Sequence, residues 1–254
     1  MVKIENMSEL QVLPTFKKGI LTNNFITKAD YEKEIRLGQL HLQKNDDNCL
    51  VLKQRNGFAI GYFHFMADVD FQIFEEIKES IYIEIPYKNR NKAVLQEFAN
   101  KFMENGFTFC FERKKYELTI TEESTFDTSN VKKAELENAK EIYDLLYAYY
   151  PVETGCLPDF EGVETHIKND EVYTIVEDEK IVGLLTFYSK LNKMAHLVVD
   201  KDYRGKGYLA QLMHTYLQLH YGKKTVIWAG ENTAGIYLKY GYHETEFGSI
   251  VLRK

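Results

Sequence analysis

The chain has 254 residues, of which 44% are hydrophobic and 14% aromatic, so it can bury the core of one large or two modest globular domains. Its formal net charge of −6 argues against nucleic acid or an anionic membrane as a partner and weakly favours an amine-bearing one. The three cysteines, Cys49, Cys110 and Cys156, are widely spaced, which argues against a disulfide framework or a zinc site and for a reducing compartment. The N-terminus has no long apolar run, so neither a signal peptide nor a membrane span is expected, and the sequence predicts a cytoplasmic protein.

The N-terminal part of the chain carries strand and helix patterns but no motif that indicates chemistry. The patterns predict strands at 48–53, 58–65, 81–85 and 107–111, and an amphipathic helix at 92–103. Asn56-Gly57 favours a tight hairpin between the first two strands, because both residues tolerate positive φ angles. Pro86 is expected to end the third strand.

A stretch of small and polar residues at 121–130 is the best candidate for a linker. It divides the chain into two predicted domains, residues 1–127 and residues 128–254. The second domain begins with a predicted helix, an acidic loop and a hairpin, at 138–150, 151–161 and 170–188.

Residues 194–217 hold the strongest signal in the sequence. An apolar run that ends at Val199 predicts a buried strand, and Arg204-Gly205-Lys206-Gly207 predicts a tight basic turn. The helix predicted after the turn has an apolar face formed by Leu209, Leu212, Met213, Tyr216 and Leu217. Unpaired N–H groups in the first turn of a helix, the helix dipole and two cationic side chains together describe a cradle for a diphosphate.

The turn is neither a Walker loop nor a dinucleotide fingerprint, because it lacks Gly-Lys-Ser/Thr and the third glycine of G-x-G-x-x-G. It resembles the coenzyme A loop of the GNAT superfamily of acetyl-CoA-dependent N-acetyltransferases, whose pattern is Gln/Arg-x-x-Gly-x-Gly/Ala. Leu209 stands where that pattern usually has Gly or Ala. Further along, a strand predicted at 225–229 leads into a short helix, and Tyr237 lies four residues before Gly241-Tyr242, as in the C-terminal signature of the family.

The resemblance covers residues 131–254 and implies acetyl-CoA as the cofactor. The residues that it implies for coenzyme binding are Leu197, Val198, Val199, Arg204, Gly205, Lys206, Gly207, Tyr208 and Asn232. It also implies that the strand at 194–199 and the strand at 225–229 splay apart, and that coenzyme and acceptor meet in the splay.

Tyr237 is the implied catalytic residue, because family members use this tyrosine to donate a proton to the departing thiolate. The general base is less defined. His196 lies on the coenzyme strand, but alternation along a strand places Ala195 and Lys193 on the face that family bases occupy, so we expect His196 to be a packed histidine. A water chain toward Glu153 or Glu231 is the alternative.

The order of elements in the first half resembles that of the second, which predicts an internal duplication. At one constant shift, residues 90–93 align with residues 204–207, and Asn91 and Ala93 replace the two glycines. Side chains there would obstruct a phosphate, so the first copy is predicted to be degenerate and without a coenzyme site. The expected fold is α/β, an α+β mixed sheet arranged as two tandem acyl-CoA N-acyltransferase-like domains.

The predicted function is transfer of the acetyl group of acetyl-CoA to a primary amine by direct attack. A small-molecule amine is favoured over a protein as acceptor, with no nucleic-acid or membrane partner. The alternative is a catalytically silent acetyl-CoA sensor or scaffold, and a nucleotide or RNA binder is disfavoured by the net charge. The sequence does not specify the acceptor, the oligomeric state or the length of the acyl group.

Overall fold

The computed structural model describes residues 1–13, 21–24, 26–45, 48–55, 57–65, 69–153 and 156–254. Their contacts divide the chain into two compact units. Unit 1 comprises Met1–Arg113 and Glu246–Lys254, and unit 2 comprises Lys114–Thr245. The sequence boundary between the units lies between Arg113 and Lys114, before the predicted boundary at 127/128. The last residues of the chain, from Glu246 onward, belong to unit 1.

Unit 1 is built on a mixed sheet with the strand order β1-β3-β4-β5-β6-β13, with β2 paired to β5. Its strands are β1 (Val2–Lys3), β2 (Leu21–Thr22), β3 (Leu40–Lys44), β4 (Asn48–Arg55), β5 (Phe58–Phe65), β6 (Ser80–Lys88), the start of β7 (Thr108–Thr119) and most of β13 (His243–Arg253). Its helices are α1 (Lys28–Arg36) and α2 (Lys92–Glu104).

The core of unit 1 lies between this sheet and α2. Leu95, Phe98, Ala99 and Phe102 are buried at helical spacing and pack on apolar side chains of β5 and β6, which confirms the predicted amphipathic helix. Ile250 and Leu252 of β13 belong to the same cluster. The predicted hairpin of β4 and β5 is also confirmed, although Asn56 of its turn lies outside the described residues.

The prediction that Pro86 ends its strand is wrong. β6 continues to Lys88, and Pro86 pairs with Ser249 of β13. On its other side, β6 pairs with β5 only as far as Ile83. Pro86 therefore lies where the strand has a neighbour on one side, so a missing N–H is tolerated.

Unit 2 has the strand order β7-β12-β11-β10-β9-β8, with helices on both faces. Besides the end of β7, its strands are β8 (Val131–Lys133), β9 (Val172–Glu177), β10 (Lys180–Tyr188), β11 (Lys193–Val199), β12 (Lys224–Gly230) and the start of β13. Its helices are α3 (Ala139–Tyr149), α4 (Phe160–Lys168), α5 (Tyr208–Leu219) and α6 (Glu231–Leu238). The expected α/β fold with a mixed sheet is confirmed.

Two separate cores cover the two faces of the unit 2 sheet. The buried residues of α5 (Leu212, Met213 and Tyr216) pack on one face, and those of α3 and α4 pack on the other. Gly183 of β10 brings α5 close to the sheet, since a Cβ atom there would lie 3.3 Å from Leu212 and 3.2 Å from Ile175. The predicted strand, turn and helix at 194–217 are thus confirmed.

The predicted linker at 121–130 has no helix or strand, but it packs within unit 2. The Ser124 hydroxyl lies 2.7 Å from Nδ1 of His214, and the Phe126 ring stacks on the His214 imidazole at 4.3 Å between centroids. Gln218 also donates to the main-chain oxygens of Ser124 and Phe126. The segment is therefore tied to α5 by side-chain contacts that its polar composition did not reveal.

The predicted alignment of residues 90–93 with residues 204–207 is wrong. The strand before 90–93, β6, runs parallel to β5, whereas the strand before 204–207, β11, runs antiparallel to β10. By topology β6 corresponds instead to β12. β6 runs parallel to β5 and β12 runs parallel to β11, and each of the two is followed by a helix and a long strand. The turn at 204–207 then corresponds to the connection between β5 and β6, whose sequence from 66 to 79 has no glycine and five acidic residues.

Candidate active site

The connection from β11 to α5 is fixed by Asp200, the first residue after the strand. Its carboxylate accepts hydrogen bonds from Lys180 (2.8 Å), the Asp202 N–H (3.1 Å) and the Tyr149 hydroxyl (3.0 Å). Tyr149 in turn accepts from the Lys201 N–H at 2.7 Å. These donors, Lys180 first, lower the pKa of Asp200 to about 2, so the carboxylate stays charged and holds the turn.

The turn that follows leaves the start of α5 open. Gly205 and Gly207 have φ angles of 84° and 81°, a left-handed conformation that glycine adopts without strain. A Cβ atom built on either residue would meet nothing within 4 Å, and no side chain among the described residues caps α5. The first N–H groups of the helix therefore border an open space in which an anion can lie.

Three charged side chains border this space. Arg204 donates from Nε to the Val199 carbonyl oxygen at 3.3 Å, and its guanidinium lies 5.9 Å from the Tyr149 ring. Lys206 lies 2.6 Å from the carboxylate of Glu177, which also accepts from the Tyr208 hydroxyl at 2.5 Å. The hydrogen bonds from Lys206 and Tyr208 lower the pKa of Glu177, so a charged carboxylate pairs with Lys206 in this structure.

The two central strands of unit 2 separate next to this turn. β11 and β12 run parallel, but their register in the described residues contains the single pair Lys193 and Val226, at the start of both strands. Toward Val199 and Gly230 the strands are no longer paired, which is the splay that the resemblance implied. The main-chain groups of Leu197 face this gap rather than a neighbouring strand.

Tyr150, the residue after α3, fills part of the gap. Its hydroxyl accepts a hydrogen bond from the Leu197 N–H at 3.0 Å and donates one to the Leu197 carbonyl oxygen at 3.1 Å. Burial raises the pKa of Tyr150, so the phenol is neutral. Nothing in the sequence Tyr149-Tyr150-Pro151 predicts this contact, because Leu197 lies 47 positions further along the chain.

Tyr237 of α6 packs against the core on the α5 side of the sheet. Its ring meets that of Tyr242 edge to face, with centroids 6.2 Å apart. Burial raises its pKa well above the usual value, and the nearby hydroxyls of Tyr150 and Tyr242 raise it further. Tyr237 is therefore a neutral hydrogen-bond donor close to Tyr150. Asn232, in contrast, is exposed in the first turn of α6.

His196 is the packed histidine that the sequence predicts. It is 4% exposed, its Nδ1 lies 2.9 Å from the Thr186 hydroxyl, and its ring meets that of Tyr150 at 5.0 Å. The expected alternation is interrupted, however, because the register of β10 and β11 shifts between His196 and Met194. This β-bulge at Ala195 places Met194, rather than Ala195 or Lys193, with the core that contains Val199.

The predicted coenzyme residues thus fall on consecutive elements around one end of the splay. Leu197, Val198 and Val199 form the end of β11. The turn at 204–207 and Tyr208, the first residue of α5, supply five more, and Asn232 lies on α6. An open cradle at an uncapped helix, beside a strand edge with hydrogen-bonding groups, fits a diphosphate joined to an amide-containing arm. A cavity of about 650 Å³ lies elsewhere, at the other end of α5, lined in part by Ser124, His214 and Tyr240.

Two further features are absent from the described residues. Within the described ranges, no group of three or more His, Cys, Asp and Glu side chains is placed to hold a metal ion. In the same ranges, no helix combines the length and the apolar character that crossing a membrane requires.

Solved structures with the same fold include several GCN5-related N-acetyltransferases. The one from Sphaerobacter thermophilus is 12% identical, with a TM-score of 0.57, and the match covers 94% of this chain and 96% of that one. The one from Kribbella flavida is 14% identical, with a TM-score of 0.51 and coverage of 89% and 93%. A glucosamine N-acetyltransferase region in a fungal multi-domain β-N-acetylglucosaminidase is 11% identical, with a TM-score of 0.58 and coverage of 81% and 31%.

At these identities the structural matches establish the fold. No curated protein matches the sequence. Residues 157–251 match the family model of the acetyltransferase (GNAT) domain, a range that contains the turn at 204–207, the splayed strands and Tyr237. Residues 157–251 are therefore similar to the acetyltransferase (GNAT) domain, whose fold supports acyl transfer.

Proposed function

We propose that this protein is an N-acetyltransferase that transfers the acetyl group of acetyl-CoA to a primary amine, with a small molecule as acceptor. The observation that carries the proposal is the divergence of β11 and β12 beside the uncapped start of α5. This arrangement offers main-chain hydrogen bonds to an extended arm and N–H groups to a diphosphate.

The turn would hold the diphosphate. Gly205 and Gly207 allow the main chain to approach closely, and the N–H groups of Tyr208 and the next residues belong to the first turn of α5, beside the open space. Arg204 and Lys206 add charge. Because Lys206 now pairs with Glu177 at the surface, it would exchange one anion for another, at small cost in free energy.

Acetyl-CoA would supply the acyl group in activated form, as a thioester. The Leu197 N–H lies at the strand edge where a carbonyl oxygen would be polarised. Tyr237 has a neutral phenol, so it can donate a hydrogen bond and a proton toward a sulfur on which negative charge develops. The bond that breaks joins the acyl carbon to the sulfur. The Leu197 N–H would act on the carbonyl oxygen at one end of this bond, and Tyr237 on the sulfur at the other.

The proton of the attacking amine needs a separate acceptor. His196 does not fit this role, because it is enclosed between Thr186 and Tyr150. We propose a water chain that leads to Glu153, half-buried on the loop after α3, or to Glu231, exposed at the start of α6.

Calorimetric titration with acetyl-CoA, followed by a panel of amines assayed for release of the thiol, tests the function. Binding together with amine-dependent thiol release would support the transferase. Binding without thiol release from any amine would favour the silent sensor or scaffold. Absence of binding would refute both, since each requires the coenzyme site.

A further inference from the structure

The edge of β11 in the splay is held by a side chain from another element. Leu197 is opposite Leu185 of β10, and its own N–H and carbonyl point the other way, into the gap toward β12. Both groups end on one atom, the Tyr150 hydroxyl oxygen, which accepts from the first and donates to the second. One phenol therefore replaces a neighbouring strand at this residue.

The position of the phenol is fixed by its surroundings. The Tyr150 ring packs edge to face on His196, which the Thr186 hydroxyl holds in turn. At the main chain, the Tyr150 N–H donates to the carbonyl oxygen of Leu146 and closes the last turn of α3. These contacts direct the hydroxyl at Leu197 before any ligand arrives.

We propose that Tyr150 is a positioning residue that makes the site discriminate between an acyl thioester and a free thiol. The inference rests on the proposed function, because it concerns the N–H that would polarise the acyl carbonyl. The Leu197 N–H has one proton and makes one strong hydrogen bond, either to Tyr150 or to an acyl oxygen. A ligand with an acyl carbonyl must therefore displace Tyr150 from this N–H, whereas coenzyme A without the acyl group leaves the contact in place.

The Leu197 carbonyl responds differently. Its oxygen has two lone pairs, so Tyr150 can continue to donate to it while a ligand amide donates as well. The competition is thus confined to the N–H. After the acyl group has left, Tyr150 returns to the N–H, and the edge does not carry an unpaired buried donor while the thiol departs.

Tyr150→Phe removes the hydroxyl and keeps the ring against His196. In the variant, the Leu197 N–H has no internal partner in the free protein, and an acyl carbonyl supplies one. Acetyl-CoA should therefore bind about three- to tenfold more tightly than it binds the parent, the range that a single hydrogen bond supports. Coenzyme A should change by less than about twofold.

The control is Tyr147→Phe, which removes a hydroxyl from the same helix, where it bonds the Pro158 carbonyl oxygen at 3.3 Å. Affinities of parent and variants for acetyl-CoA and coenzyme A are measured by calorimetry, with a thermal melt of each free protein. If Tyr150 had a purely structural role, its substitution would lower the affinity for both ligands. Tighter binding of acetyl-CoA alone is therefore specific to the proposal. Tyr150→Leu repeats the test should the phenylalanine variant fold poorly.

The outcomes separate the two proposals. If the parent binds both ligands and Tyr150→Phe binds acetyl-CoA no more tightly, the competition is refuted and the proposed function stands. If the parent binds neither ligand, the proposed function fails and the inference fails with it. A gain in acetyl-CoA affinity in Tyr147→Phe equal to that in Tyr150→Phe would also overturn the inference.

Discussion

Substitution of Gly207 by aspartate tests most directly the proposal that the turn at 204–207 binds the coenzyme. Gly207 precedes the first residue of α5, and a Cβ atom built there meets no other heavy atom within 4 Å, so the substitution starts from open space. The φ angle of 81° is strained for a residue with a Cβ atom, at a cost of about 1–2 kcal/mol in the free energy of unfolding. For a domain of this size, that lowers the melting temperature by only a few degrees.

The effect on binding should be much larger. The new carboxylate would lie where a diphosphate is expected, and two unit charges 4 Å apart repel by about 1 kcal/mol even in bulk water. Two phosphate charges give about 2 kcal/mol, a loss in affinity of about 30-fold, before the obstruction of the main-chain N–H groups is counted. We therefore expect at least this loss for coenzyme A.

Calorimetry with coenzyme A and a circular-dichroism melt measure the two effects separately. The matched control is Gly222→Asp. Gly222 has a φ angle of 74°, a Cβ atom built on it would meet nothing within 4 Å, and it lies beyond the C-terminal end of α5. It should carry the same strain and bind coenzyme A as the parent does. If Gly207→Asp keeps an affinity within about threefold of the parent, the turn does not hold the diphosphate.

Three further predictions concern the same unit and its counterpart. Titration of the whole chain should give one coenzyme per chain, because the segment at 66–79 is acidic and lacks glycine, and a stoichiometry of two would contradict this. Tyr237→Phe should lower kcat by about 10²- to 10⁴-fold with little change in coenzyme affinity, and a change of only a few-fold with thiol release still slow would show that Tyr237 only packs. Asp200 has a folded-state pKa of about 2, below its usual 3.8, so the stability it contributes is present above about pH 4 and is lost as the pH falls to 2. The melting temperature of the parent should therefore fall more steeply over that range than that of Asp200→Asn, and equal slopes would argue against the network at Asp200.

The elements around the site were predictable because their signals are local. The apolar run before Asp200, the two glycines and the spacing of Leu212, Met213 and Tyr216 lie within one continuous stretch. Each element forms for a reason that its own residues contain, namely a buried strand, a left-handed turn and an amphipathic helix.

The features that the sequence did not reveal depend on residues that are distant along the chain. The bulge at Ala195 arises from the register with β10, and the tolerance of β6 for Pro86 arises from where its pairing with β5 stops. The contact between Tyr150 and Leu197 joins two elements that no periodicity connects. The alignment of residues 90–93 with residues 204–207 was wrong because β6 runs parallel to β5, and the direction of a strand cannot be inferred from its residues alone.

The place of residues 246–254 in unit 1 has a consequence for synthesis. β6 pairs with β13 from Tyr82 to Lys88, and Ile250 and Leu252 complete the core around Phe63 and Phe102. A ribosome that has made the first 113 residues must add the 132 residues of unit 2 before this strand exists, roughly 7–26 s at 5–20 residues per second. During that interval the edge of β6 that pairs with β13 has no native partner, which exposes the nascent chain to strand-edge aggregation. Cutting the gene at the 127/128 boundary would make that transient condition permanent for the N-terminal fragment.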